Sequence, residues 1–273
     1  MANWNIVRTI DQGGFGKVYE VKSDTGQRGA LKELKNPNTI NLKRFEREIN
    51  ILQTLKHPSI ISIYEWNLQG SPANNIGPYY IMEYMEGGSL KDKMTDMFNV
   101  KHGLFAQKWA LGAVILPVLE AMQLAHTNFT YHRDIKPANL LFTNQQQNVI
   151  KVADWGIGKD INRVSIALTV GGIGTSAYCS PEQWFANATV DGRTDIYSLG
   201  VMFYEMMTGK IPQVFNPTTG QRFTIPTPSS QNHPSISDAL NTAILKMMAY
   251  DAISRYQTVA QLKTDLSTIY RSM

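Results

Sequence analysis

Between Tyr131 and Gly156 the chain reads YHRDIKPANLLFTNQQQNVIKVADWG, and four of its side chains, Asp134, Lys136, Asn139 and Asp154, are the types that a metal-bound phosphate needs. Mg²⁺ prefers hard oxygen ligands, takes one or two of them from protein, and completes its octahedron with substrate phosphates and water. The carboxylate of Asp154 and the amide oxygen of Asn139 meet that need. Asp134, five residues before Asn139, is then left to hold a hydroxyl and accept its proton, and Lys136 to neutralise charge on a phosphoryl group in flight. This division of labour is that of phosphoryl transfer.

Such side chains work only if something holds them. The apolar runs Leu140 to Phe142 and Val149 to Ala153 predict two short strands joined by a turn around Asn144 to Asn148, a hairpin that presents polar residues at its ends. Upstream, from Asn5 to about Met85, runs of Val, Ile and Tyr separated by Gly, Asn and Pro predict a strand-rich unit interrupted by one helix over about 41–55. Downstream, apolar residues at three- and four-residue spacing predict helices over about 104–126, 195–208, 237–248 and 258–270. Pro117 falls inside the first, where a proline costs about 3 kcal/mol or kinks the axis. The Pro-rich stretch from Ile211 to Pro234 reads as a long surface loop. Paired glycines in EYMEGG permit a bend between the two units, which gives a small β-rich part, 1–85, and a larger helical part, 86–273.

Composition narrows the function classes. With 273 residues, 43% of them hydrophobic, the chain buries a substantial core and exceeds a minimal binding module. The 26 basic residues against 22 acidic ones are spread without a basic block, so nucleic acid is not indicated as a partner. No basic start followed by an apolar core opens the chain, and the longest apolar run, Ala113 to Leu119, is far short of a membrane span. Cys179 is the only cysteine, which excludes an intramolecular disulfide and fits a reducing cytoplasm.

His132, Arg133 and Asp134 followed by Asn139 resemble the catalytic loop of protein kinases, and Asp154, Trp155 and Gly156 resemble their metal-binding triplet, with Trp155 in place of the usual Phe. The resemblance runs from Ile10 to about Leu266 and is closest in style to bacterial Hanks-type serine/threonine kinases. It implies an α+β fold of two lobes with ATP between them, and Mg²⁺, or alternatively Mn²⁺, as the metal. Ile10 to Val18, IDQGGFGKV, is similar to the glycine-rich loop that covers the phosphates, although Asp11 stands where its first glycine is expected. Ile10, Gly13, Gly14, Phe15, Gly16 and Val18 are thereby implied in ATP binding. Lys32 resembles the lysine that contacts the α- and β-phosphates, and Glu48 its helical partner. Met82 corresponds to the gatekeeper, Glu83 and Met85 to the hinge residues that bond adenine, and Ala30 and Leu141 to the apolar sandwich around the ring.

GTSAYCSPE, Gly174 to Glu182, looks like the end of an activation segment, and the pairing of Thr175 with Lys136 resembles serine/threonine rather than tyrosine kinases. The same resemblance implies an ion pair between Glu182 and Arg255, a scaffold role for Asp195, and a structural role for His132. Arg133 before Asp134 implies regulation by a phosphate on the activation segment, with Thr169 the first candidate and Ser165 the second. The partners implied are ATP, a protein with a Ser or Thr acceptor, and a second copy of the chain for autophosphorylation. Two rivals stand beside this reading: a pseudokinase scaffold, to which Asp11 and Trp155 give room, and a small-molecule kinase of the same fold.

Overall fold

Strand-forming residues between Trp4 and Glu83 build a five-stranded antiparallel sheet with the order β1-β2-β3-β5-β4. The strands are β1 (Trp4–Gln12), β2 (Gly16–Ser23), β3 (Arg28–Leu34), β4 (Ile63–Asn67) and β5 (Tyr79–Glu83). The computed structural model describes residues 3–12, 16–71, 75–100, 104–146, 149–155, 177–185, 188–228 and 236–273. Gly16 is dictated by packing: a Cβ there would lie 2.8 Å from the Glu33 carbonyl oxygen on β3. Helix α1 (Thr39–Thr54) presents buried Phe45, Ile49 and Leu52, while the far side of the sheet buries Val21, Leu31 and Ile81 under Trp4 and Tyr19. The helix starts two residues earlier than its periodicity predicts because Asn38 caps it, its side chain accepting from Asn41 N at 2.9 Å.

The rest is mainly helical. Helix α2 (Leu90–Thr95) opens on a capping box made by Ser89 and Asp92. A continuous helix, Gln107–Thr127, follows in three parts: α3 (Gln107–Trp109), a π-helical stretch Ala110–Ile115, and α4 (Leu116–Thr127). Neither the full cost nor the kink expected at Pro117 falls on an α-helix interior. The π stretch puts this proline in the first turn of α4, where a ring without N–H is tolerated.

The helix also corrects the reading of apolar length. Its 21 residues have a mean hydropathy of 1.4 and by length and composition alone would cross a membrane. Here Leu111, Val114, Val118 and Met122 are buried in the core instead, and α4 packs on the last helix.

Helix α5 (Arg193–Thr208) is buried along nearly its whole length, and α6 (Asp238–Met247) and α7 (Val259–Ser272) begin at the side-chain caps Ser237 and Thr258. Between α5 and α6 the described residues include a small antiparallel turn closed by a Phe215–Arg222 bridge.

A two-stranded sheet of β6 (Leu140–Phe142) and β7 (Ile150–Val152) lies below the joint. The joint is sewn to it: Gly87 N donates to Phe142 O at 3.0 Å and Phe142 N to Gly88 O at 2.9 Å. A Cβ on Gly87 would meet the Asn144 carbonyl oxygen at 2.2 Å, so this contact requires glycine.

Candidate active site

The hairpin gathers the four polar residues as their spacing predicts. Leu140 pairs with Val152, so Asn139, before β6, and Asp154, after β7, fall at the same end, where Ala153 N donates to Asn139 O at 2.9 Å. Asn139 Nδ2 donates to the Asp134 carbonyl at 2.8 Å and to Asp134 Oδ2 at 3.2 Å. Lys136 Nζ reaches the same Oδ2 at 2.8 Å. One carboxylate oxygen thus lies between an ammonium and an amide. Because the Asn139 amide nitrogen is spent on this loop, its oxygen is the atom left to offer a cation.

Buried groups hold the loop from beneath. Asp195, fully buried at the head of α5, accepts from His132 N at 2.9 Å, Arg133 N at 2.7 Å and His126 Nε2 at 2.8 Å. Burial alone would raise its carboxyl, but the hydrogen bonds from the His126 side chain and the His132 backbone hold it below the usual carboxylate range. His132 is packed away from solvent, its Nε2 donating to Ala153 O at 2.8 Å while Nδ1 accepts from Asp134 N at 3.3 Å. This is a structural histidine. Arg133 and Asp154 take left-handed backbone angles, φ 63° and 58°. In Arg133 the strain is borne because Asp195 and Gln183, whose Nε2 donates to Arg133 O at 3.0 Å, fix the backbone on both sides. Trp155 is buried against His132, ring centroids 5.0 Å apart, and its Nε1 donates to Val152 O at 3.3 Å.

Above this loop, Lys32 from β3 meets both Glu48 carboxylate oxygens at 3.2 Å and also Asp154. Glu48 is wholly buried on α1, whereas the Asp154 side chain is half exposed. Burial pushes the Glu48 carboxyl up to about 7 against the pull of Lys32. Burial also works against the charge on Lys32, yet Asp154 and Glu48 hold the amine well above its ordinary value. For Asp154 burial is outweighed by Lys32, and its carboxyl lies below the usual range. Sequence reading missed Tyr80, whose buried ring lies 5.7 Å from Lys32 Nζ; its place in an apolar strand hid it.

The residues assigned to an apolar slot also converge. Ala30 sits directly across from Met82, and Val18 across from Lys32. Leu141 bridges to Ser89 below the joint, and both Leu141 and Val18 are half-buried. Glu83 N is spent on Ser62 O at 3.0 Å, which leaves its carbonyl as the main-chain group it could offer a base. The Glu83 side chain accepts from Ser62 N and from Lys151 Nζ, both at 2.6 Å, and so ties β7 and the residue just before β4 to the strand that carries it. Ile10 is exposed over less than half of its surface, and Asp11 Oδ1 accepts from Gln12 N at 2.7 Å. Gly13, Gly14 and Phe15 lie outside the described residues, as do Gly156, Ser165, Thr169, Gly174 and Thr175.

On the other side, Arg255 grips Glu182 with two bonds at 2.7 and 2.8 Å, its side chain fully buried and stacked 4.8 Å from the Tyr197 ring. Ser180 and Gln183 form a reciprocal cap over the short helix Pro181–Trp184. Arg133 Nε is buried with no hydrogen-bond partner among the described residues, and burial, together with the charge of Arg47 on α1, depresses the Arg133 guanidinium. Neither Gln183 nor Arg47 had a signal in sequence, since each acts through a contact distant along the chain.

Comparison with known proteins agrees with this geometry. The chain matches the family described as protein kinase domain over residues 4–266. It is 35% identical over 233 residues to the serine/threonine-protein kinase PknB of Mycobacterium leprae, an alignment covering 83% of this chain and 36% of that protein. A probable serine/threonine-protein kinase of Clostridium perfringens is 34% identical, with 97% of this chain and 38% of that protein covered. A probable PknB of Bifidobacterium longum is 33% identical, with 97% and 39% covered. The chain therefore spans little more than a third of the length of the curated relatives it matches.

Proposed function

The chain belongs to the protein kinase domain family, and on that premise we propose that it is an ATP-dependent serine/threonine kinase acting on protein hydroxyls. The observation that carries this reading is the Asp134 carboxylate, held by Lys136 and Asn139 at the end of the hairpin that also bears Asp154. The incoming Ser or Thr oxygen attacks the γ-phosphorus, its proton passes to Asp134, and the bond from phosphorus to the ADP oxygen breaks. Lys136 stabilises charge on the phosphoryl group as it moves. Lys32, anchored by Glu48 and also in contact with Asp154, would hold the α- and β-phosphates.

Asp154 and Asn139 fit a hard cation, since one offers a half-exposed carboxylate and the other an amide oxygen. Mg²⁺, or Mn²⁺ in its place, would neutralise phosphate charge there. Adenine fits between Ile10, Val18 and Ala30 above and Leu141 below, with Met82 behind it and the backbone of Glu83 and Met85 at its edge. Gly13, Gly14, Phe15 and Gly16 are the residues proposed to bind the phosphates.

The pseudokinase reading loses ground because the Lys32–Glu48 pair is formed and the catalytic loop is fully braced. Regulation belongs to the same proposal: Arg133 Nε, which has no partner among the described residues and lies near Arg47, suits a phosphate on Thr169 or Ser165, placed there by a second copy of the chain. A cytoplasmic site of action accords with ATP as donor. Incubation of purified protein with labelled ATP and Mg²⁺ tests the assignment; label should appear on Ser or Thr of the protein itself or of a generic substrate. Absence of transfer with intact nucleotide binding would leave the scaffold.

A further inference from the structure

The outer end of the proposed adenine slot carries a cluster of charges that none of the roles above uses. Glu20 on β2 lies directly across from Ala30, so it shares the cleft-facing side of the sheet with Ala30 and, two residues away, Val18. Its side chain is only 9% exposed, a rare place for a carboxylate. Two arginines explain its burial. Arg8 Nε on β1 reaches Glu20 Oε2 at 2.8 Å, and Arg28 at the start of β3 reaches Oε1 with Nε at 3.0 Å and Nη2 at 2.8 Å. Both arginines then extend to the joint. Arg8 Nη2 donates to the Tyr84 hydroxyl at 3.2 Å, and Arg28 lies 4.1 Å from the Tyr84 ring centroid while its Nη1 pairs with Glu86.

We propose that Arg8, Glu20 and Arg28 are positioning residues for nucleotide binding, a latch that fixes the three roof strands to the joint at Tyr84 and Glu86 and so sets the gap into which adenine slides. The inference rests on the kinase reading of the cleft. The joint is already fixed to the floor by the backbone bonds that Gly87 and Gly88 make with Phe142, next to Leu141. The pairing of β3 with β5 ends at Gly29 and Glu83, and the latch carries the link between roof and joint beyond that last pair, to Tyr84 and Glu86. Because none of these latch bonds goes to Asp134, Lys136, Asn139 or Asp154, its contribution should fall on nucleotide binding rather than on the chemical step.

The test compares wild type with Arg28→Ala, Arg28→Lys and Glu86→Gln, using Arg222→Ala, which breaks the surface pair with Asp251, as a control. Steady-state kinetics give KM for ATP and kcat, and a non-hydrolysable ATP analogue gives Kd directly. Arg28→Ala should raise KM and Kd by about five- to twentyfold with kcat within about twofold. Arg28→Lys should recover part of the loss, since it keeps the charge but not the planar face over Tyr84. Glu86→Gln, a change at an exposed position that leaves the core intact, should shift both constants the same way but less. Unchanged constants in Arg28→Ala and Glu86→Gln, or a fall in kcat alone, would overturn the latch; should Arg28→Ala not fold, Glu86→Gln decides alone. A wild type that binds no analogue would overturn the kinase reading and the latch with it, whereas tight binding shared by wild type and every variant overturns only the latch.

Discussion

Asp134 is useful because of what its neighbours do to one oxygen. With Lys136 and Asn139 both on Oδ2, the carboxylate is oriented before any substrate arrives. Asp134→Asn should lower phosphate transfer by about 10²- to 10⁴-fold, read with labelled ATP, while the melting temperature stays within a few degrees. Asp195 gives the second expectation. Its folded value is depressed below the unfolded one, so its contribution is present above the ordinary carboxylate range, near pH 4, and is lost as pH falls through that range toward the folded value. Urea unfolding between pH 7 and 3 should show this loss, and Asp195→Asn should be less stable at neutral pH with a flatter acid limb. That Asp134, Lys136, Asn139, Asp154, Lys32 and Glu48 come together was legible in sequence, because the tasks proposed for them admit few side-chain types. Tyr80, Gln183 and the latch arginines were not, because their types are ordinary and only their three-dimensional neighbours set them apart.

Elements were legible where capping chemistry or periodicity marked them. Ser237 and Thr258 were read as helix starts and act as N-caps, whereas the cap at Asn38 was not read and α1 begins two residues before its expected start. The π stretch before Pro117 had no such mark. Its run from Ala113 to Leu119 is apolar on every face, so the extra residue appears only in the hydrogen bond from Leu116 N to Leu111 O. Since that stretch already accommodates the ring, Pro117→Ala should change stability by less than about 1 kcal/mol, not the roughly 3 kcal/mol of a proline in a regular helix, as a thermal melt would register. The Glu182–Arg255 bond joins the helix Pro181–Trp184 to the loop before α7 in dry surroundings. Arg255→Ala strands the Glu182 carboxylate and should cost about 3–5 kcal/mol in chemical denaturation, whereas exposed Arg222→Ala should cost under about 1 kcal/mol.

At the scale of the molecule, the sheet with α1 and the helical remainder meet where Lys32 touches Asp154 and where the joint is bonded to β6. Their α+β character was legible from the change of period along the chain, but their mutual placement was not, because it depends on contacts such as Lys151 with Glu83 between residues far apart in sequence. A ligand held by both parts must stabilise the whole. ATP with Mg²⁺ at about a hundred times its Kd should therefore add about 2.7 kcal/mol to unfolding, and Lys32→Met should abolish most of that gain in a thermal-shift measurement. Of the tryptophans at 4, 66, 109, 155 and 184, only Trp155 is fully buried, and its indole packs on the histidine beneath the catalytic loop. The chain thus carries an optical reporter of its own: the emission lost in Trp155→Phe, taken by difference from the other four indoles, registers any departure of Trp155 from its seat against His132, with no label attached.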